Sequence, residues 1–317
     1  MYVAREFSPD LDQVQSSIVE DEAPAWDAGT SYALNDRVIR GHRIYQSVIA
    51  DNLGIDPTLE DQSALAARWV FDRFTNAFSA FDGILSNPTV ASDDPGASVP
   101  WLDPGLGIDP ATTPVILDIP GISWVDTLIL FGVVATSARV ICYDVADAVL
   151  RDTETNLSGR QVSNWWEWFA EPFEGFQDKL VDLSVPGTTA RILIALSGAE
   201  VSLGEVFLGD QLFVGDGMAQ RTEGRSVGGT RYSFNDYGSL TLAKGPTRIE
   251  MDYAVVASHA LWKQVKPQLD RLSGSLVATI GSELRPSSIH FGILGPVRWL
   301  EDLPDEYEYS FTIMGIA

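Results

Sequence analysis

Cysteine and histidine are nearly absent from this chain. Of its 317 residues one is a cysteine, Cys142, and three are histidines, His42, His259 and His290. A single thiol excludes an intrachain disulfide and any cysteine-based metal site. Cys142 sits in the alternating run Ala138–Tyr143 and reads as a small core residue. The histidines have neither nucleophile nor metal-ligand spacing around them. There is no Gly-x-Ser-x-Gly, no phosphate loop and no zinc-type helix. The glycine-rich Gly224–Gly229 holds Arg225-Ser226-Val227 where a phosphate loop needs lysine followed by serine or threonine, and is read as a loop. No apolar stretch approaches the ~20 residues that span a bilayer. The opening Met1-Tyr2-Val3-Ala4-Arg5-Glu6-Phe7 lacks the charged-then-apolar order of a secretory signal. The expectation is a chain made in a cytoplasm, with no membrane insertion, no metal and no cofactor.

Positive charge is also scarce. Lys and Arg total 21 against 44 Asp and Glu, a formal net charge of −23. Phosphates are repelled by such a surface, which argues against nucleic acid and anionic membrane as direct partners. The abundant carboxylates could in principle supply a glycosidase pair, and Glu167, Glu171 and Asp178 form the one cluster worth considering. With so many acids, chance proximity is the expected explanation, and no enzyme is expected. The acidic turns Asp93-Asp94 and Asp302 to Glu306 lack an ordered calcium-ligand spacing and read as solvated loops.

What remains is a chain with 45% hydrophobic residues, long enough for two or three cores. Residues 1–20 are polar with an apolar stripe (Val3, Phe7, Leu11, Val14, Ile18) and read as a docking segment. From about 112 to 214, apolar runs separated by Gly, Pro, Asp and Ser predict strands at 115–119, 127–131, 138–143, 191–196 and 201–208. That spacing implies an antiparallel β-sandwich, read as a jelly roll of the galactose-binding type over 73–215. The region 216–317 reads as an α+β unit. A strand over 247–256 precedes an amphipathic helix with Ser258 as N-cap and Pro267 as a break or kink. Strands over 275–280, 289–294 and 307–313 follow. The fold class is mainly β.

Residues 21–72 form a separate small module. Asn35-Asp36 is a turn signal, and Arg37–Arg40 and Arg43–Val48 read as strands joined by a tight turn at Gly41-His42. So short a stretch buries little, and Trp26, Tyr32, Tyr45 and Trp69 read as its miniature core; the other reading is a sugar-stacking face. The order Trp26-Asp27-Ala28-Gly29, Tyr32, Asn35-Asp36-Arg37-Val38, His42-Arg43-Ile44-Tyr45, Gly54-Ile55-Asp56-Pro57 and Arg68-Trp69 resembles the small chitin-binding-type carbohydrate-binding module. That family carries exposed aromatics just after the strand tyrosine; Gln46–Asp51 has none here.

A second aromatic group lies in the sandwich region. Trp165, Trp166, Trp168, Phe169, Phe173 and Phe176 fall within twelve positions. They are read either as a glycan platform or subunit hot spot, or as the lid of the sandwich core, with the first five as candidate contacts.

Taken in order, the module, its exit Thr75-Asn76…Phe81-Asp82, Ala135–Val140, Arg160–Phe173 and the closing Tyr309–Ile316 resemble a tail protein of tailed bacteriophages. The resemblance implies a virion component at the tail tip or baseplate, a homo-oligomer in a ring with other tail proteins as partners. It also implies carbohydrate-binding-like domains facing outward, with a host cell-surface glycan as a further partner. No collagen-like, coiled-coil or repeat segment marks a fibre shaft, so a compact ring or peripheral part is expected. The alternative is a host-glycan adhesin acting through the sandwich or the module.

Overall fold

The structure, a computed structural model, describes residues 1–60, 67–91, 99–158, 179–218, 221–228, 231–234, 240–243, 247–281, 288–300 and 306–316. Among the described residues strands dominate, and every ladder between two strands is antiparallel. A ten-stranded sheet forms the spine. It runs Lys179–Asp182, Thr127–Phe131, Glu205–Phe213, Tyr2–Glu6, Leu276–Ile280, Ile289–Leu300, Glu306–Gly315, Thr247–Ser258 and Asp216–Gly217, with Glu223–Gly228 also paired to Thr247–Ser258. A five-stranded sheet, Val149–Asn156, Ser137–Tyr143, Arg191–Ser197, Val115–Pro120 and Gln15–Ser16, covers the first strands of the spine and makes the sandwich.

The sandwich strands read as unbroken apolar runs because both of their faces are covered. Val115, Leu117 and Ile119 point inward with Leu128, Leu130, Val140, Ile194, Val206 and Leu208. Ile116, Ile141, Leu193 and Ala195 point outward, beneath Trp101, Leu102, Leu106 and Ile108. On the far face of the spine, Ile129, Phe131 and Phe207 meet Ala278, Ile280 and Phe291. Each such large side chain stabilises the fold by about 1.5–3 kcal/mol relative to exposure.

That last cluster joins the sandwich to the C-terminal region, and the backbone does the same. Tyr2–Glu6 pairs with Gly209–Phe213 on one side and with Val277–Ile280 on the other. Residues 1–20, read from sequence as a docking segment, therefore spend both backbone edges of this strand inside the chain. The same sheet also holds strands from both sides of position 215. Gly209 allows the close approach, since a Cβ there would lie 2.7 Å from the Arg5 carbonyl oxygen.

The helix His259–Leu272 packs Trp262, Val265, Leu269 and Leu272 against the C-terminal strands. Ser258 caps it, its side chain accepting from the Leu261 N–H at 3.3 Å. Pro267 lies inside it, so of the break or kink expected there the break does not occur. A proline lacks one N–H, but buried side chains on both sides of it hold the helix to the sheet. A second correction concerns Gly224–Gly229, expected as a loop: Glu223–Gly228 is an edge strand paired with Thr247–Asp252. Its partner, not its own composition, makes it extended.

Candidate contact surfaces

The small module is built on Arg37–Arg40, Arg43–Ser47 and Trp69–Phe74. Gly41 and His42 turn the first hairpin with φ of 56° and 61°, the doubly left-handed geometry that matches strand twist. Asn35, with φ 71°, makes the preceding turn. Tyr32, Tyr45 and Trp69 are buried with Val38. The Tyr32 ring meets Trp69 edge-on at 5.3 Å, and the Trp69 indole N–H donates to the Ile55 carbonyl at 2.9 Å. Glu60 accepts the backbone N–H groups of Arg68 and Trp69 at 2.7 and 3.0 Å. Trp26 is half-buried at the edge of this core, with the Arg40 guanidinium 5.1 Å from its ring centroid. Tyr32, Tyr45 and Trp69 thus have no free face to offer a sugar ring.

The module is fastened at both its entry and its exit. Glu20 accepts the Thr75 hydroxyl at 2.5 Å, and the His42 Nδ1 lies 3.1 Å from the same carboxylate. The Thr75 N–H donates to the His42 carbonyl at 3.1 Å. The Asn76 N–H donates to Glu22, and the Asn76 amide exchanges two 2.8 Å hydrogen bonds with the backbone of Val90. The His42 ring stacks on Phe78 at 3.8 Å. Thr75 is fully buried. These contacts fix the orientation of the module on the sandwich.

Beside this junction lies a cleft of about 450 Å³, lined by residues 6–12, Gly41, Arg43, Phe74, Phe81 and Glu205. Glu205 is 1% exposed. Burial pushes its carboxyl up to about 9; the Gly83 N–H, donating at 2.9 Å, opposes this, and the nearby Asp82 and Glu6 add to it. Burial raises Glu6 and Asp82 as well. Glu205 is therefore a neutral acid at pH 7, holding the backbone that follows Phe81.

The loop between Val115–Pro120 and Thr127–Phe131 displays Trp124. This side chain is 84% exposed, and its φ of 59° is a conformation that bulky residues rarely adopt. Ile122 and Val125 on either side are buried. The Ile122 N–H donates to Ala190 O, and the Asp126 N–H to Gly209 O. The hairpin turn at 144–148 sits at the same end, because Ala190 also donates to Tyr143, and it displays Val145 at 90% exposure. Sequence reading passed over Trp124, since a lone tryptophan has no density signal; the only cue was its position between two apolar anchors in a Gly121-to-Asp126 loop.

The aromatic candidates Trp165, Trp166, Trp168, Phe169 and Phe173 lie outside the described residues, as do Glu167, Glu171, Asp178 and Asp93-Asp94. His290 is half-buried, its Nδ1 2.7 Å from the Tyr253 hydroxyl. Burial, aided by Lys179, lowers it to about 4. His259 packs on Tyr307. Among the described residues, no three His, Cys, Asp or Glu side chains are placed to hold a metal ion. None of their helices is long and apolar enough to cross a membrane.

No known protein family and no curated protein matches the sequence. Among solved structures, one chain aligns with part of this one. It comes from the tail of an empty GTA particle with C6 symmetry, is 13% identical, and aligns over 34% of this chain and 87% of its own length at a TM-score of 0.24. A score that low establishes neither fold nor role.

Proposed function

We propose that this protein is a non-enzymatic structural part of a phage virion, placed at the tail tip or baseplate. It would act as an assembly of copies in contact with other tail proteins, with the small module as a rigid outward spacer. The observation that carries the reading is the way the module is fastened. Glu20, His42, Thr75 and Asn76 lock its entry and exit to the sandwich. A module that searches for ligand is served by a flexible tether, whereas a part whose position matters in an assembly is served by a fixed one. The ordered series of segments resembling phage tail proteins supports the same reading.

Trp124 favours a second reading, a host-glycan adhesin, because an aromatic ring held outward on an anchored loop suits stacking on a pyranose face. One experiment separates the two. Free protein added to host cells before infection blocks adsorption if the chain is an adhesin, with the block lost in Trp124→Ala. It leaves adsorption unchanged if the chain is a structural part. Retained adsorption together with presence of the chain in washed, purified virions supports the structural reading; absence from virions overturns it.

A further inference from the structure

The cleft of about 450 Å³ beside the module junction takes its walls from both sides of that junction. Residues 6–12, Phe81 and Glu205 come from the sandwich side, and Gly41, Arg43 and Phe74 from the module. Phe7, Leu11, Phe74 and Phe81 pack against the sandwich core and are only partly covered by it. Three phenylalanine rings and a leucine thus give the cleft an apolar lining.

Two polar groups stand over that lining with their bonding capacity unspent. The Arg43 guanidinium lies 4.9 Å from the Phe74 ring centroid and 6.0 Å from that of Phe71. Among the described residues no carboxylate is paired with it. Glu6 is half-buried, and burial alone raises its carboxyl, with no hydrogen bond among the causes. A carboxyl withdrawn from water without a donor carries a desolvation cost that a hydroxyl in the cleft would remove. The other acids are already engaged. Asp10 accepts from the Gln13 amide at 2.7 Å and from the Asp12 N–H at 3.3 Å, and Asp12 faces His42 at 3.8 Å. Glu205 is a neutral acid that accepts the Gly83 N–H.

A cationic guest would meet Arg43, and an anionic guest would meet Glu6. A neutral guest that both donates and accepts satisfies the two together, and one with an apolar face also covers the rings. A pyranose has this chemistry, with hydroxyls around its rim and C–H groups on its faces, and the cleft has the size of a small-molecule site. We propose that the cleft binds a short neutral saccharide, with Arg43 donating to a hydroxyl oxygen, Glu6 accepting from a hydroxyl, and the phenylalanine rings against the C–H face. The inference does not depend on the virion placement, and it concerns a different surface from Trp124.

The test is saturation-transfer NMR on the full chain with cellobiose, maltose and lactose, each at up to about 20 mM to reach the millimolar Kd of a single small site. At least one of the three is expected to receive saturation at its ring protons. Chitobiose, a diamine, and digalacturonate are expected to bind more weakly. Arg43→Ala and Glu6→Ala should each weaken binding about tenfold, whereas Trp124→Ala leaves it unchanged. Hydrogen exchange of wild type with and without the bound disaccharide is a readout independent of any variant's folding, and amides within 6–12 and 41–43 should slow. Saturation of none of the three disaccharides overturns the site. Tighter binding of the diamine or of digalacturonate overturns the neutral class. Protection confined to other residues, or binding lost in Trp124→Ala, overturns the cleft as the place of contact.

Discussion

Replacing Glu205 by glutamine removes one proton equilibrium while leaving the local hydrogen bonding intact. In the unfolded chain this carboxyl ionises near 4.5, and in the folded chain near 9. Between those values folding must take up a proton. The stability is thus full below about pH 4.5, falls by about 1.4 kcal/mol per pH unit, and levels off once pH passes the folded value. At pH 7.5, three units above the unfolded value, the accumulated loss reaches about 4 kcal/mol. Glutamine does not titrate, and its side-chain oxygen can still accept the Gly83 N–H that Glu205 accepts at 2.9 Å. The raised carboxyls of Glu6 and Asp82 remain in both proteins and cancel in the comparison to first order. Urea unfolding of wild type and Glu205→Gln across pH 4.5–9 measures the difference. The two should match near pH 4.5, and the variant should pull ahead steadily to about 4 kcal/mol at pH 7.5. A gap that does not change with pH, or a variant less stable throughout, would refute the placement of Glu205 as a buried neutral acid.

Trp69→Ala empties the centre of the small module and should cost about 3–5 kcal/mol there; hydrogen exchange should rise across the module strands while Thr127–Phe131 stays protected, and unchanged exchange in Arg43–Ser47 would contradict it. Glu20→Ala takes from buried Thr75 the nearer of its two acceptors, leaving the His42 carbonyl at 3.3 Å, and should loosen the junction by about 1 kcal/mol, seen as faster exchange at the Thr75 and Asn76 amides; equal exchange would mean that Glu20 does not fasten the module. Trp124→Ala should change unfolding stability by no more than about 0.5 kcal/mol, because the ring buries almost nothing in the chain. A loss well above that in a urea titration would show that the ring packs inward.

Local pattern was enough for much of this architecture. The run Thr127–Phe131 and the turn at Gly41-His42 announce themselves through β-branched content and turn chemistry, and Ser258 ahead of an amphipathic stretch marks the helix start. The burial of Tyr32, Tyr45 and Trp69 likewise follows from how little else a short module has to bury. Pairings between distant segments were not visible. Nothing in Tyr2–Glu6 states that it fits between strands more than two hundred residues away, and Glu223–Gly228 has the composition of a loop until Thr247–Asp252 lies beside it. Pro267 shows the converse, a strong local breaker overridden by packing. The site residues divide in the same way. Glu205 acquires its character from burial, and Trp124 from the loop that aims it, so neither differs in sequence from an ordinary glutamate or tryptophan.

A chain built into a virion tail is carried by the particle itself. Immunogold labelling of intact, purified virions with antibody against the folded protein tests it most directly. Gold confined to the tail end distal to the capsid is expected, with the chain detected in the same washed particles by mass spectrometry. Particles that carry neither label nor peptide, while infected cells contain the protein, would contradict it.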